Sequence, residues 1–474
     1  MKRFLFILLG WLTAGAAQPK SLRYIENKVR VYIEESVDVD QTSLVNGKTG
    51  IKTIDDLLSR KGKVKISQWL PEATEKDRDG DILLSRYYDI RFDDENIDMA
   101  AVRDELSNQM AIKFAEYIPG YRFHYTPNDP RYSSQWYLRT IQAPEAWDLW
   151  DIEGGNFPGD PTIVVGVVDS GCDWDHHDLV YSLWNNFGED VDGDGKTIEL
   201  VNGQWQLDSG DLNSVDDDGN GYVDDLIGWD VSGTTAGNDP DNNPMAPPDP
   251  GPTNGNPHGT HVAGIVAATT DNSLGMASVG FNIKHMPVKI QYDENPSDTT
   301  FDSGGASGVL YAAKAGAHII NLSWGGGGPS NSERALYNNI RDNYGAIVVA
   351  AAGNEESEEE SYPAAYSSVL SVASSNSSDT KSSFSNYGTW IDIIAPGSSI
   401  LSAVYDDKYA SWSGTSMATP LVAGALGLVW SYYPNESADK IQQMLLRGTD
   451  NIDDNNSSYV GKIGSGRLNV FRAI

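Results

Sequence analysis

From Ile163 onward the chain repeats one rhythm, a short apolar run followed by a stretch with helical spacing, and this alternation restricts the fold more than any other feature. Ile163–Val168 (IVVGVV) is continuously apolar, and strand-like runs recur at Ile283–Ile290, His318–Leu322, Ala346–Ala351, Val369–Ala373 and Trp390–Ile394. Helical stretches accompany them at His261–Ala268, Ala306–Ala315, Glu333–Asp342, Met417–Tyr432 and Ala438–Arg447. A strand that is apolar on both sides must be covered on both faces, which helices packed on a parallel sheet provide. The pattern predicts an α/β, doubly wound parallel sheet flanked by helices.

Residues 18–124 have a different texture. Lys28–Glu34 alternates apolar with polar residues and Tyr87–Phe92 reads as a second strand, while Ile51–Leu58 and Met99–Glu116 have helical spacing. This predicts a small α+β unit ending at the turn-rich Tyr125–Pro130. Ahead of it, Lys2 and Arg3, the apolar Phe4–Leu12 and the small residues Ala14–Ala16 form the three parts of a signal peptide over 1–17. That run is shorter than the roughly 20 residues of a membrane span. The expected product is secreted, soluble and free of membrane partners.

Net charge is −33, and residues 18–124 are nearly balanced with 17 basic and 20 acidic residues, so the excess lies in 125–474. Such a surface repels phosphate backbones, which argues against nucleic-acid binding, and it suits either cation binding or solubility in salty surroundings. With Cys172 the single cysteine, no intrachain disulfide can form, and bound metal is one option for the staple an exported chain needs.

Four strings stand where chemistry is expected. Val167–Gly171 (VVDSG) puts Asp169 at the end of an apolar strand, and His258–Gly264 (HGTHVAG) opens a helix with His258. Ser413–Pro420 (SGTSMATP) places Ser416 at the start of a long helix, and Ala350–Asn354 (AAAGN) ends a strand with Asn354. Acyl transfer needs a nucleophile, a base and a carboxylate that holds the base in the right tautomer. It also needs donors for the oxygen that becomes negative, here the Asn354 amide and the Ser416 N–H.

These strings resemble the active-site signatures of the subtilase family of serine peptidases, in the family's order Asp, His, Ser. The likeness runs from about Asp129 to the end and includes Gly464–Val470 (GSGRLNV). It implies an endopeptidase that cleaves proteins through an acyl-enzyme on Ser416, with Asp169, His258 and Asn354 as partners. It further implies that 18–124 is a propeptide, inhibiting the cleft until it is cut off, ahead of a catalytic domain over 125–474. The enzyme is expected to be a monomer. Ser323, Trp324 and Gly325 resemble the family's substrate-binding strand, with Gly353 and Glu355 across the groove. The loop Glu355–Ser361 (EESEEES) either favours Lys or Arg at P1 or is only a solvated acidic loop.

The resemblance also implies structural Ca²⁺ held by Asp178, Asn272, the Leu274 and Met276 carbonyls, and Gln135. A second candidate lies in the acidic insertion 185–257. Asp216, Asp218, Asn220, Tyr222 and Asp224 alternate as in the first half of an EF-hand loop, with Gly221 in sixth place. The twelfth residue is Ile227, so a bidentate ligand must come from elsewhere. Asp190, Asp192 and Asp194 repeat the pattern more weakly. Two other readings stay open, a catalytically inactive subtilase fold used for binding and a calcium-dependent adhesion module.

Overall fold

The computed structural model describes residues 24–94, 97–120, 125–152, 154–233, 240–246, 257–292 and 303–474. The segment 1–17, read above as a signal peptide, lies outside them, as do 247–256 in the insertion. The chain divides into two compact units with the boundary between Phe123 and His124.

The smaller unit runs strand, helix, strand, strand, helix, strand. Its antiparallel sheet orders the strands Val64–Gln68, Tyr87–Phe92, Tyr24–Ile33 and Ile112–Pro119, a ferredoxin-like arrangement. Helices Lys52–Lys61 and Met99–Ser107 bury Ile54, Leu57, Leu58, Val102 and Leu106 against Val29, Val31, Ile33 and Ile90. The expected helix over Met99–Glu116 is corrected here. The helix stops at Ser107, and Ile112–Pro119 is a strand beside Tyr24–Ile33, with Val31 opposite Ala115. Apolar residues at 111, 112, 114, 115 and 118 suit either period, and pairing along the neighbouring strand decides for the sheet.

The larger unit is built on seven parallel strands, β1 (Val164–Asp169), β2 (Trp229–Asp230), β3 (Lys284–Lys289), β4 (Ile319–Leu322), β5 (Ile347–Ala351), β6 (Val369–Ser375) and β7 (Ile393–Pro396). Their spatial order is β2-β3-β1-β4-β5-β6-β7. Helices α1 (His258–Ala267), α2 (Ser303–Lys314), α3 (Asn331–Asn339), α4 (Thr415–Tyr432) and α5 (Ala438–Arg447) cover it.

Alternate residues of β1 enter two separate cores. Val165 and Val167 join the side that holds α1, α4 and α5, whereas Val164 and Val168 join the side that holds Val309, Tyr311 and Ala312 of α2. Gly166 also faces α2, and a Cβ there would lie 2.9 Å from that of Ala312, so only glycine allows the helix this close. Strand order reverses between β1 and β4. In open α/β sheets the crevice beyond the carboxyl ends at such a reversal is the usual ligand site.

Candidate active site

Asp169 is the last residue of β1 and is 3 % exposed. Its Oδ1 accepts from the Ser170 N–H at 2.7 Å and from His258 Nδ1 at 2.8 Å. A carboxylate only accepts, so this bond fixes the proton on Nδ1 and leaves Nε2 as the basic nitrogen. Oδ2 is buried and has no donor among the described residues. His258 opens α1, and the Gly259 N–H donates to Ser170 Oγ at 3.0 Å. A Cβ on Gly259 would fall 2.1 Å from the Gly171 carbonyl oxygen, so glycine is what lets α1 abut the end of β1. Burial alone draws the His258 pKa down, but the charge and hydrogen bond of Asp169 outweigh it and hold the pKa above the ordinary value.

Ser416 is the second residue of α4 and is half-buried. Its hydroxyl donates to the Ser323 carbonyl at 2.9 Å, and the Ser323 hydroxyl donates back to the Ser416 carbonyl at 2.9 Å. The second bond has a covalent cause: Pro420, four residues on, has no N–H to give that carbonyl. Asn321 Nδ2 steadies Ser323 Oγ at 2.9 Å. This reciprocal pair ties the start of α4 to the end of β4.

The Asn354 side chain is exposed, with Oδ1 accepting from the Thr415 N–H at 2.8 Å and the Thr415 hydroxyl at 3.1 Å. Anchoring the oxygen leaves the NH₂ end free to point outward beside the first turn of α4, where backbone N–H groups and the helix dipole favour an anion. Asn386, which the sequence reading did not single out, holds this loop in shape. It is 2 % exposed, and its Oδ1 accepts from the Glu355 and Ser357 N–H groups at 3.0 and 2.9 Å. Its Nδ2 donates to the Ala352 carbonyl at 2.9 Å and to Glu355 Oε2 at 2.8 Å. Gly353 has φ +103°, and a Cβ there would lie 2.4 Å from Asn386 Nδ2. The only cue in the sequence was an asparagine in a serine-rich turn.

Beyond the end of β4, Trp324 Nε1 donates to the Val168 carbonyl at 2.8 Å, and Gly325–Gly328 are exposed. Gly326 already pairs with Tyr362 through a 2.8 Å backbone bond. In the acidic loop, Glu355 is held by Asn386, Glu358 pairs with Lys462 at 2.7 Å and Glu360 accepts from the Tyr362 hydroxyl at 2.5 Å. Among the described residues, Lys462 thus pairs one of the loop's five carboxylates with opposite charge. Cys172 is buried, and desolvation pushes its thiol pKa well up, so it is a structural residue.

Of the calcium candidates, Asp178 is fully buried and hydrogen-bonded to Asn272 and to the Met276 N–H. Oδ1 accepts from Asn272 Nδ2 at 2.8 Å, while Oδ2 accepts from the Met276 N–H at 2.9 Å and the Tyr409 hydroxyl at 3.2 Å. Gln135 turns its oxygen to the Ala277 N–H at 2.9 Å, and Asn272 turns its own to the Leu274 N–H at 2.7 Å. Among the described residues no donor reaches the Leu274 or Met276 carbonyls. The donor types suit Ca²⁺, and a cation requires the Asn272 amide to turn its oxygen towards Asp178.

In the insertion, Asp216, Asp218 and Asn220 gather in one loop, with Asp216 accepting from the Gly219, Asn220 and Gly221 N–H groups at 2.7, 3.1 and 2.9 Å. Tyr222 follows, its N–H donating to Asn220 Oδ1 at 2.8 Å. Asp224, which has φ +53°, accepts with its carboxylate from the Asn213 and Ser214 N–H groups at 3.0–3.1 Å.

Residues 160–464 match the subtilase family (Peptidase S8). Thermitase from Thermoactinomyces vulgaris is 36% identical over 352 residues, covering 74% of this chain and 99% of that protein. The halolysin-like extracellular serine protease Nep of Natrialba magadii is 35% identical over 334 residues, 70% of this chain and 51% of Nep. A solved protease structure from Pseudoalteromonas arctica PAMC 21717 superposes with a TM-score of 0.55 at 26% identity, covering 74% of this chain and 98% of the other.

Proposed function

The chain belongs to the subtilase family of serine peptidases, and on that premise we propose that it is a secreted endopeptidase working through an acyl-enzyme on Ser416. The observation that carries this is the 2.8 Å bond from His258 Nδ1 to the buried Asp169, at the sheet edge where α4 presents Ser416.

In this reading the Ser416 hydroxyl rotates from the Ser323 carbonyl towards Nε2 of His258. It gives up its proton there as its oxygen attacks the peptide carbonyl. Asp169 holds the imidazole and stabilises its charged form. Asn354 Nδ2 and the Ser416 N–H meet the negative oxygen of the tetrahedral intermediate. His258 then protonates the leaving amine, and water repeats the sequence in reverse to free Ser416. Substrate lies extended along Ser323–Gly325 and adds its backbone as a further strand.

Residues 1–17 would direct export and 18–124 would act as the inhibitory propeptide of the domain 125–474, a monomer in solution. Relatives whose names mark them as extracellular support export, and among the described residues no helix is long and apolar enough to cross a membrane. Calcium is proposed as a structural ion, held by Asp178 with Asn272 and the Leu274 and Met276 carbonyls. When bound, it supplies fixed positive charge and takes no part in proton transfer. The test is casein hydrolysis by the secreted protein and its Ser416→Ala variant. The proposal expects cleavage by the first and none by the second, and equal cleavage by both would reject it.

A further inference from the structure

We propose that Glu189 supplies the missing ligand of a calcium site built on Asp216 and Asp218, an inference that rests on reading the acidic insertion as cation-binding. The loop from Asp216 wraps its backbone around the first carboxylate, with Gly219 and Gly221 at φ +78° and +97° making the tight turns. A carboxylate oxygen of Glu189 is thereby brought within 4.8 Å of oxygens of Asp216 and Asp218. Glu189 is 0 % exposed. One of its oxygens accepts from the Asp217 and Asp218 N–H groups at 3.0 and 3.1 Å. The other, Oε2, is buried and has no partner among the described residues.

Two features of this cluster call for a cation. A buried carboxylate oxygen without a donor is costly, and three carboxylates this close repel one another. Among the described residues no Lys or Arg forms an ion pair with any of the three. The nearby Lys314 donates instead to the Asn220 carbonyl at 2.9 Å. Oxygen-only donors on an open loop, with a glutamate able to bind through both oxygens, suit Ca²⁺ better than the smaller and more rigidly octahedral Mg²⁺. Ile227, which occupies the place of the closing EF-hand glutamate, is 0 % exposed in the core. Glu189 takes that role from the opposite side, 27 residues before Asp216 in the chain. The weaker loop is built alike. Asp190 accepts from the Gly193 and Gly195 N–H groups, and the buried Asp211 accepts from the Val191 and Asp192 N–H groups.

The test uses the full chain carrying Ser416→Ala, stripped with EDTA and titrated with CaCl₂ by calorimetry, alongside thermal melts in EDTA and in calcium. Glu189→Gln is expected to bind one Ca²⁺ fewer per chain than its parent. In EDTA it should melt at the parental temperature or above, because the amide removes one of three repelling charges and can donate to the other two. In calcium it should melt below the parent. Asp218→Asn, at an exposed position, should also lose one ion and guards against a folding defect at Glu189. Retention of the parental stoichiometry by both variants would overturn the proposal. So would an equal loss of melting temperature by Glu189→Gln in EDTA and in calcium, the mark of a purely structural carboxylate. The Ser416→Ala background has no part in proteolysis, so failure here leaves the casein test to judge the peptidase reading separately.

Discussion

Lys289→Met should destabilise the protein in a way that depends on pH. Lys289 Nζ lies 2.5 Å from Asp230 Oδ2, and both side chains are 1 % exposed. The pair adjoins the proposed active site: Lys289 stands opposite Asp169 in the β3–β1 ladder. Removing one partner of a buried ion pair typically costs about 3–5 kcal/mol, because the other charge is left in a poor solvent. Asp230 Oδ1 keeps the Ser232 and Gly233 N–H groups at 2.8 and 3.0 Å, which places the expectation at the lower end.

Protonation of Asp230 limits the cost further. Burial already raises its pKa against the lowering effect of Lys289, and loss of the ammonium raises it more. A carboxyl whose folded pKa exceeds its unfolded value of about 3.9 loses about 1.4 kcal/mol of stability per pH unit between the two values. The penalty should therefore be small near pH 4, grow as pH rises from the parental to the variant's folded pKa, and level off above the latter at about 3 kcal/mol. Denaturant unfolding in the Ser416→Ala background at acidic and at mildly alkaline pH measures it. Adding Asp230→Asn should recover most of the loss, since the amide oxygen can still accept from Ser232 and Gly233. A penalty independent of pH, or a double variant no better than the single one, would mean that Asp230 is not the charge left stranded.

Asn354→Ala should lower kcat by about 100–1,000-fold with little change in KM, since a transition-state donor is lost; steady-state kinetics on a peptide amide decide. The acid limb of kcat/KM should titrate above the ordinary histidine pKa, because His258 must be neutral to act as base and Asp169 favours its charged form. Asp169→Asn should move that limb to lower pH and cut kcat by about 10⁴-fold. Asn386→Ala should cost about 2–3 kcal/mol by leaving the Glu355 and Ser357 N–H groups without an acceptor. Its kcat should also fall because the Asn354 loop loses its brace, and a variant of parental stability and activity would contradict this.

The sheet was readable in the sequence because strands buried on both faces must be apolar throughout, as Ile163–Val168 and Ala346–Ala351 are. The four site strings were readable because each ends a strand or opens a helix, where short range in the chain sets direction. What escaped depends on contacts between distant segments. Ile112–Pro119 becomes a strand only beside Tyr24–Ile33, and Asn386 braces a loop some thirty residues earlier. Glu189 meets Asp216 and Asp218 only once the insertion folds back. Asp224 keeps the alternating spacing, but its carboxylate, 7 % exposed, is taken by the Asn213 and Ser214 N–H groups.

If Asp169 and His258 activate Ser416, that serine should react with an electrophile that other serines ignore. Mass spectrometry of the secreted protein after treatment with a fluorophosphonate tests it most directly. Phosphonylation confined to Ser416 and abolished in His258→Ala is the predicted result. An adduct at another residue, or one on Ser416 that forms as fast without His258, would contradict that activation.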